Sequence, residues 1–254
     1  MSLQFSANTG YLWTDHPFLD RIKLAKLHGF HSVEFHDEPH FEDLGTLKKA
    51  LSELALPVNS MNVYMGDSFG CAAMPERMTM AQKEIKEALR IAEDIGAKAL
   101  HILAGIGPHT PEGFATFVSN LKYALENSHL TIVIEPVCEE QLPGYFLSTL
   151  DQAAKVLKEI TNPRLKILFD CYHVFSQSGD VLKNFATYSD RIGHVQIAAA
   201  EARAEPFPGE LDYSFLLPRF QALGYNGAFG CEYRPKSITE AGLSWRDQFS
   251  KESS

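Results

Sequence analysis

Apolar and polar positions follow two alternating periods along this chain. Thr131-Ile132-Val133-Ile134 is an unbroken run of β-branched residues that ends at Glu135-Pro136. Such a run reads as a strand buried on both faces, as in a parallel sheet. Pro136 has no N–H to give to a ladder, so the strand stops and leaves Glu135 at its carboxyl end. The same reading gives strands over Leu3–Asn8, Ser32–Phe35, Val58–Tyr64, Lys98–Leu103, Leu165–Asp170, Ile192–Ala198 and Ala228–Tyr233. Between them the apolar spacing switches to the helical period. Pro17–Leu27 has Phe18, Ile22 and Ala25 on one face and Gly29 beyond its end, which are helix start and stop signals. Leu44–Leu54 repeats at the same spacing. After a loop from Met65 to Met74, Pro75 opens a long helix striped with Ile85, Ala88, Leu89, Ala92 and Ile95 and closed by Gly96. Pro111 opens another with Phe114, Phe117, Val118, Leu121 and Leu125 together. Gly144–Ile160 carries a helix with Ser148 or Thr149 as cap, Val181–Tyr188 a weaker one, and Tyr213–Leu223 a last one stopped by Gly224. A partly polar tail follows Thr239. Strands alternating with helices in this number predict a (β/α)8 TIM barrel, an α/β fold, with residues 1–254 forming one domain.

Composition narrows the partners. A formal net charge of −9 lacks the basic face that a nucleic-acid binder needs. No apolar run is long enough to cross a bilayer, and no charged-then-apolar leader opens the chain. Cys71, Cys138, Cys171 and Cys231 are scattered without a C-x-x-C pair, which fits reduced thiols in the cytoplasm. The expected partner is a small-molecule substrate, with no nucleic acid and no membrane, and self-association into a homo-oligomer is left open.

Residues two apart on a strand share a face, so four inward sets follow: Thr131, Val133, Glu135; Lys166, Leu168, Asp170; Ile192, His194, Gln196; Ala228, Gly230, Glu232. Each set ends on an oxygen donor at the mouth where barrels keep their chemistry. Three carboxylates and one carboxamide suit a hard divalent cation, Mg²⁺ or Mn²⁺, held by Glu135, Asp170, Gln196 and Glu232. Without it the three carboxylates would repel one another. His173, three residues past Asp170, is expected in the loop above the site with a substrate oxygen in reach. His101 lies on the inward face of the fourth strand and is expected to line the pocket. Arg203, in the loop after the seventh strand with Glu205, is placed to clamp a substrate carboxylate.

The same residues carry a family likeness. Phe5-Ser6-Ala7-Asn8, Ile134-Glu135-Pro136, Pro143-Gly144-Tyr145-Phe146-Leu147, Asp170-x-Tyr172-His173, Gly193-His194-Val195-Gln196-Ile197-Ala198, Gly230-Cys231-Glu232-Tyr233-Arg234-Pro235 and Glu240-Ala241-Gly242-Leu243-Ser244-Trp245 resemble the hydroxypyruvate isomerase family of xylose isomerase-like barrels. The resemblance implies that Glu135, Asp170, Gln196 and Glu232 hold the cation. It also implies that Glu135 and Glu232 are the acid/base pair of an aldose–ketose isomerase, with His173 and Arg203 facing the substrate. The reaction would pass through an enediolate of a small hydroxy-carbonyl acid. A 2-oxo-tetronate isomerase, a ketose 3-epimerase and a non-catalytic sugar-acid-binding barrel are the alternatives. Departures from the family sit above the metal site: Cys138 stands where the family usually has Asn, Ala199 where it has Asp, and Ala204 where it has His.

Overall fold

A computed structural model describes residues 3–249. Strands β1 (Phe5–Asn8), β2 (Ser32–Phe35), β3 (Val58–Asn62), β4 (Ala99–His101), β5 (Thr131–Ile134), β6 (Leu165–Asp170), β7 (Ile192–Ile197) and β8 (Phe229–Cys231) pair in sequence order and close into a parallel barrel. The helices outside it are α1 (Phe18–Leu27), α2 (Leu44–Leu54), α3 (Met78–Asp94), α4 (Pro111–Glu126), α5 (Leu150–Ile160), α6 (Cys171–Ser178), α7 (Val181–Tyr188), α8 (Tyr213–Ala222) and α9 (Thr239–Gly242). No described helix is long and apolar enough to cross a membrane.

Local chemistry sets the helix ends. Thr149 caps α5 in a reciprocal capping box with Gln152, so this helix starts at Leu150 and the segment from Gly144 stays outside it. The long helix expected from Pro75 begins instead as a 3₁₀ turn, Pro75–Arg77, and becomes α-helical at Met78. Helix α6 was not foreseen. Asp170 ends β6 and at once caps α6, its carboxylate accepting from the Tyr172 N–H, so His173 rides on a helical first turn and not in a loop. The described part of the tail packs back on the start of β1, where Trp245 meets Phe5 edge to face at 5.2 Å.

Two apolar layers result. The outer one lies between strands and helices and takes in Ile132, Ile134, Ile167 and Phe169. A separate inner group of Ala99, Val133 and Leu168 fills the barrel itself. Strand alternation predicted the inward facing of Val133 and Leu168. It failed at Ile192, which joins the outer layer. The register between β6 and β7 slips there, pairing Ile167 with Ile192 but Leu168 with His194. Gly193 takes the crowded place, since a Cβ on it would lie 2.6 Å from the Lys166 Cβ.

Candidate active site

Above the inner apolar plug the barrel turns polar. Glu135 follows the last residue of β5, Asp170 ends β6, Gln196 lies near the end of β7 and Glu232 follows β8. All four are buried. Asp170 pairs with Gln196 and Gln196 with Gly230 across neighbouring strands, which brings these mouths side by side.

Arg203 ties the carboxylates together. It lies in the loop after β7 with a left-handed backbone (φ 54°), and its guanidinium is buried in the mouth. Nη2 donates to Asp170 Oδ2 at 2.5 Å and also to Glu232 Oε2, while Nη1 lies 3.2 Å from His173 Nε2. His173 Nε2 is in turn 3.6 Å from Glu135 Oε1 and 3.5 Å from Asp170 Oδ2. Donor atoms of Glu135, Asp170 and His173 all fall within 4.8 Å of one another, a spacing that fits one metal ion. His101 is buried beside them, its Nδ1 3.1 Å from Asn62 Oδ1 and 3.9 Å from Glu135 Oε2. Glu205 does not join this group; it accepts from the Lys236 N–H at 2.9 Å.

Burial and mutual repulsion divide the carboxyls. Burial, with Glu232 and Asp170 nearby, drives the Glu135 carboxyl well above the usual range. Burial also lifts Asp170, and although Arg203 pulls the other way it settles at about 6. Burial works on Glu232 too, but Arg203 and the His36 hydrogen bond outweigh it and hold Glu232 at about 2. Desolvation lowers His101 to about 4, and desolvation with Arg203 nearby holds His173 well below the usual imidazole value. Both imidazoles are therefore neutral near pH 7.

Part of the expected donor set suits a hard divalent cation: Glu135 and Asp170, with His173, have the spacing for one ion, whereas Glu232 lies outside that cluster with Oε2 already met by Arg203 and Oε1 by Asn8 and His36. Glu135 Oε1 and Gln196 Oε1 are buried oxygens with no hydrogen-bond partner among the described residues. Two uncommitted oxygens beside Asp170 are an arrangement that costs free energy unless a cation or donor meets them.

Several participants were not singled out from the sequence. Asn8 donates through Nδ2 to Glu34 Oε1 (3.2 Å) and Glu232 Oε1 (3.0 Å). His36 Nε2 lies 3.0 Å from Glu232 Oε1. Glu34 is buried inside the barrel, 2.7 Å from His194 Nε2 and 2.8 Å from Gln196 Nε2. Asn8 and Glu34 were findable by the alternation that located Glu135, since both lie toward strand ends; His36 sits beyond β2 and carries no such signal. Cys138 contacts His173, with Sγ 3.2 Å from Nδ1. Glu34 has room because residue 230 is glycine: a Cβ there would stand 2.5 Å from Glu34 Oε2 and 2.9 Å from Gln196 Cγ. Gly230→Ala is expected to cost about 1–3 kcal/mol, because the carboxylate it strikes is pinned by donors and cannot yield. A urea melt with an unchanged midpoint would refute this.

Fold and mouth together define an α/β-barrel enzyme with an acid cluster at the carboxyl ends of its strands. The chain matches the xylose isomerase-like TIM barrel family over residues 22–249. It is 36% identical over 252 residues to the 2-oxo-tetronate isomerase of Cupriavidus necator, covering 95% of this chain and 96% of that one. It is 35% identical over 260 residues to the hydroxypyruvate isomerase of Escherichia coli K12, covering 97% and 99%. A crystal structure described as AP endonuclease, family 2, from Brucella melitensis superposes with a TM-score of 0.93 at 30% identity, covering 99% of this chain and all of that one. The chain belongs to the hydroxypyruvate isomerase family of xylose isomerase-like TIM barrels, and by class it is an isomerase.

Proposed function

We propose that this isomerase interconverts an aldose and a ketose form of a small hydroxy-carbonyl acid, such as hydroxypyruvate or a 2-oxo-tetronate, with a bound divalent cation. The observation that carries the reading is that Glu135, Glu232, His173 and Arg203 line one cavity of about 90 Å³. Pockets for drug-sized ligands run to roughly 300–1,000 Å³, so this one suits a compound of a few carbons. Arg203 lines the same cavity and would meet the substrate carboxylate there while its Nη2 stays shared between Asp170 and Glu232.

Glu135, Asp170, Gln196 and Glu232 would hold the cation, Mg²⁺ or Mn²⁺, which when bound polarises the substrate carbonyl and offsets developing negative charge. The chain's own residues supply the proton movements. One glutamate of the Glu135–Glu232 pair takes the proton from the hydroxyl-bearing carbon. The C–H electrons become a C=C bond and the carbonyl oxygen takes the charge, forming an enediolate. The hydroxyl proton passes to that oxygen, and a glutamate returns a proton to the neighbouring carbon. No oxidant or hydride acceptor is needed. Leu103, Val137, Leu142 and Tyr145 form an apolar part of the cavity wall, which would limit the access of water to the intermediate.

The nuclease description of the Brucella relative calls for a basic groove, whereas this chain carries −9 and a mouth rich in carboxylates. The four cysteines of the chain, all free thiols, suit the cytoplasm. The test is substrate C–H exchange in D₂O, followed by NMR with Mn²⁺ or Mg²⁺, over hydroxypyruvate, 2-oxo-tetronates and free ketoses. Exchange that EDTA abolishes is expected, fastest on an acid. Exchange only on neutral ketoses would move the chain to epimerase chemistry, and none on any member would remove the isomerase reading of the mouth.

A further inference from the structure

Gln196 is an awkward cation ligand as a residue type. Its carboxamide has two ends of nearly the same shape, one an oxygen that can ligate and the other an NH₂ that repels a cation. A half-turn about the last torsion exchanges them. Something must choose the end that faces the mouth.

Glu34 sits where that choice is made. It is 1% exposed, comes from β2, three strands round the barrel from β7, and reaches through the interior to the side chains of β7. Three side chains converge on its carboxylate: Gln196 Nε2 at 2.8 Å and Asn8 Nδ2 at 3.2 Å on Oε1, and His194 Nε2 at 2.7 Å on Oε2. The carboxylate can only accept from Gln196, so the amide nitrogen must turn inward. The oxygen is then forced the other way, and Gln196 Oε1 is the atom left buried with no partner, on a side chain that is 4% exposed. The missing side chain at Gly230 is what lets the Glu34 carboxylate occupy this position.

We infer that Glu34 is a positioning residue, which fixes the Gln196 carboxamide with its oxygen toward a bound divalent cation. It does not itself touch the cation. The inference rests on the reading of Gln196 as a ligand made under the proposed function. Partners of this kind, which orient a ligand from behind, are worth about 10–100-fold in metal affinity.

The test is calorimetric titration of Mn²⁺ into the full-length protein and its variants, with folding followed by circular dichroism. Glu34→Ala is expected to weaken Mn²⁺ binding by about 10–100-fold. Glu34→Gln keeps the shape but leaves one acceptor oxygen for three donors, so it also weakens binding. The pair E34Q/Q196E is expected to regain wild-type affinity. A carboxylate at position 196 offers oxygen at either end, so it needs no selector, and the carboxamide introduced at position 34 can donate to whichever oxygen points inward. Wild-type affinity in a folded Glu34 single variant would overturn the inference. So would an E34Q/Q196E protein as weak as E34Q, because Glu34 would then support the barrel without choosing the amide end. If the alanine variant does not fold, the isosteric pair decides. Wild-type affinity in Gln196→Ala, or no Mn²⁺ binding by the wild type, would strike out the ligand reading itself and the inference with it.

Discussion

Glu135→Gln is expected to abolish substrate C–H exchange, with a loss of at least ~10²-fold, the low end of what a positioned acid or base contributes. Glutamine keeps the volume and one oxygen at the end of β5 but cannot carry a proton between carbons. Glu135 lies beside His173, His101 and the Arg203–Asp170–Glu232 cluster, and its Oε1 is uncommitted. No other described carboxyl in the cavity wall except Glu232 is placed to take over the transfer. The measurement is deuterium incorporation per enzyme, with Mn²⁺ titrated in parallel so that lost cation binding is separated from lost proton transfer. A variant that binds Mn²⁺ and exchanges at the wild-type rate would take Glu135 out of the mechanism.

The second large effect is on stability. Arg203→Met should destabilise the protein by about 3–5 kcal/mol in the presence of a chelator, the usual cost of breaking a buried ion pair by removing one partner. Arg203 is buried and donates to both Asp170 and Glu232. Methionine leaves these carboxylates facing each other and Glu135 without a positive neighbour. The pH dependence has a definite sign. Without Arg203 the folded-state values of both carboxyls rise above their present levels of about 6 and about 2. A carboxyl with a raised folded value holds its proton better in the folded state, so stability falls as pH rises. The destabilisation should therefore be larger at pH 8 than at pH 5. Mn²⁺ in excess of its Kd should recover part of it by mass action at pH 8, since it supplies positive charge to the same oxygens. Urea melts at the two pH values check this, and a penalty that does not change with pH would show that Arg203 acts through packing alone.

Short-range rules carried much of the fold. Period and breaker residues located all eight strands and the helices α1 to α5, α7 and α8 to within a few residues, because alternation, capping and Pro–Gly punctuation are properties of neighbouring residues. Where they failed, a competing interaction was responsible. The N-cap at Asp170 drew His173 into α6, and the slip at Gly193 turned Ile192 outward. The strand-eight segment predicted as Ala228–Tyr233 shortens to Phe229–Cys231, since the ladder ends before Glu232 bends into the mouth.

For the candidate site, the sequence by itself determined which oxygen donors stand at the carboxyl ends of β5 to β8. That depends only on which way a side chain points along its own strand. Who meets whom is another matter. Glu34 binds His194 and Gln196 from 160 and 162 residues away, and Asn8 reaches Glu232 across 224. Arg203 enters the mouth through a left-handed loop backbone and takes up Asp170 and Glu232 at once. Only barrel closure, the register between strands and the notch at Gly230 decide these contacts, because each requires residues far apart in the chain to occupy one small buried volume.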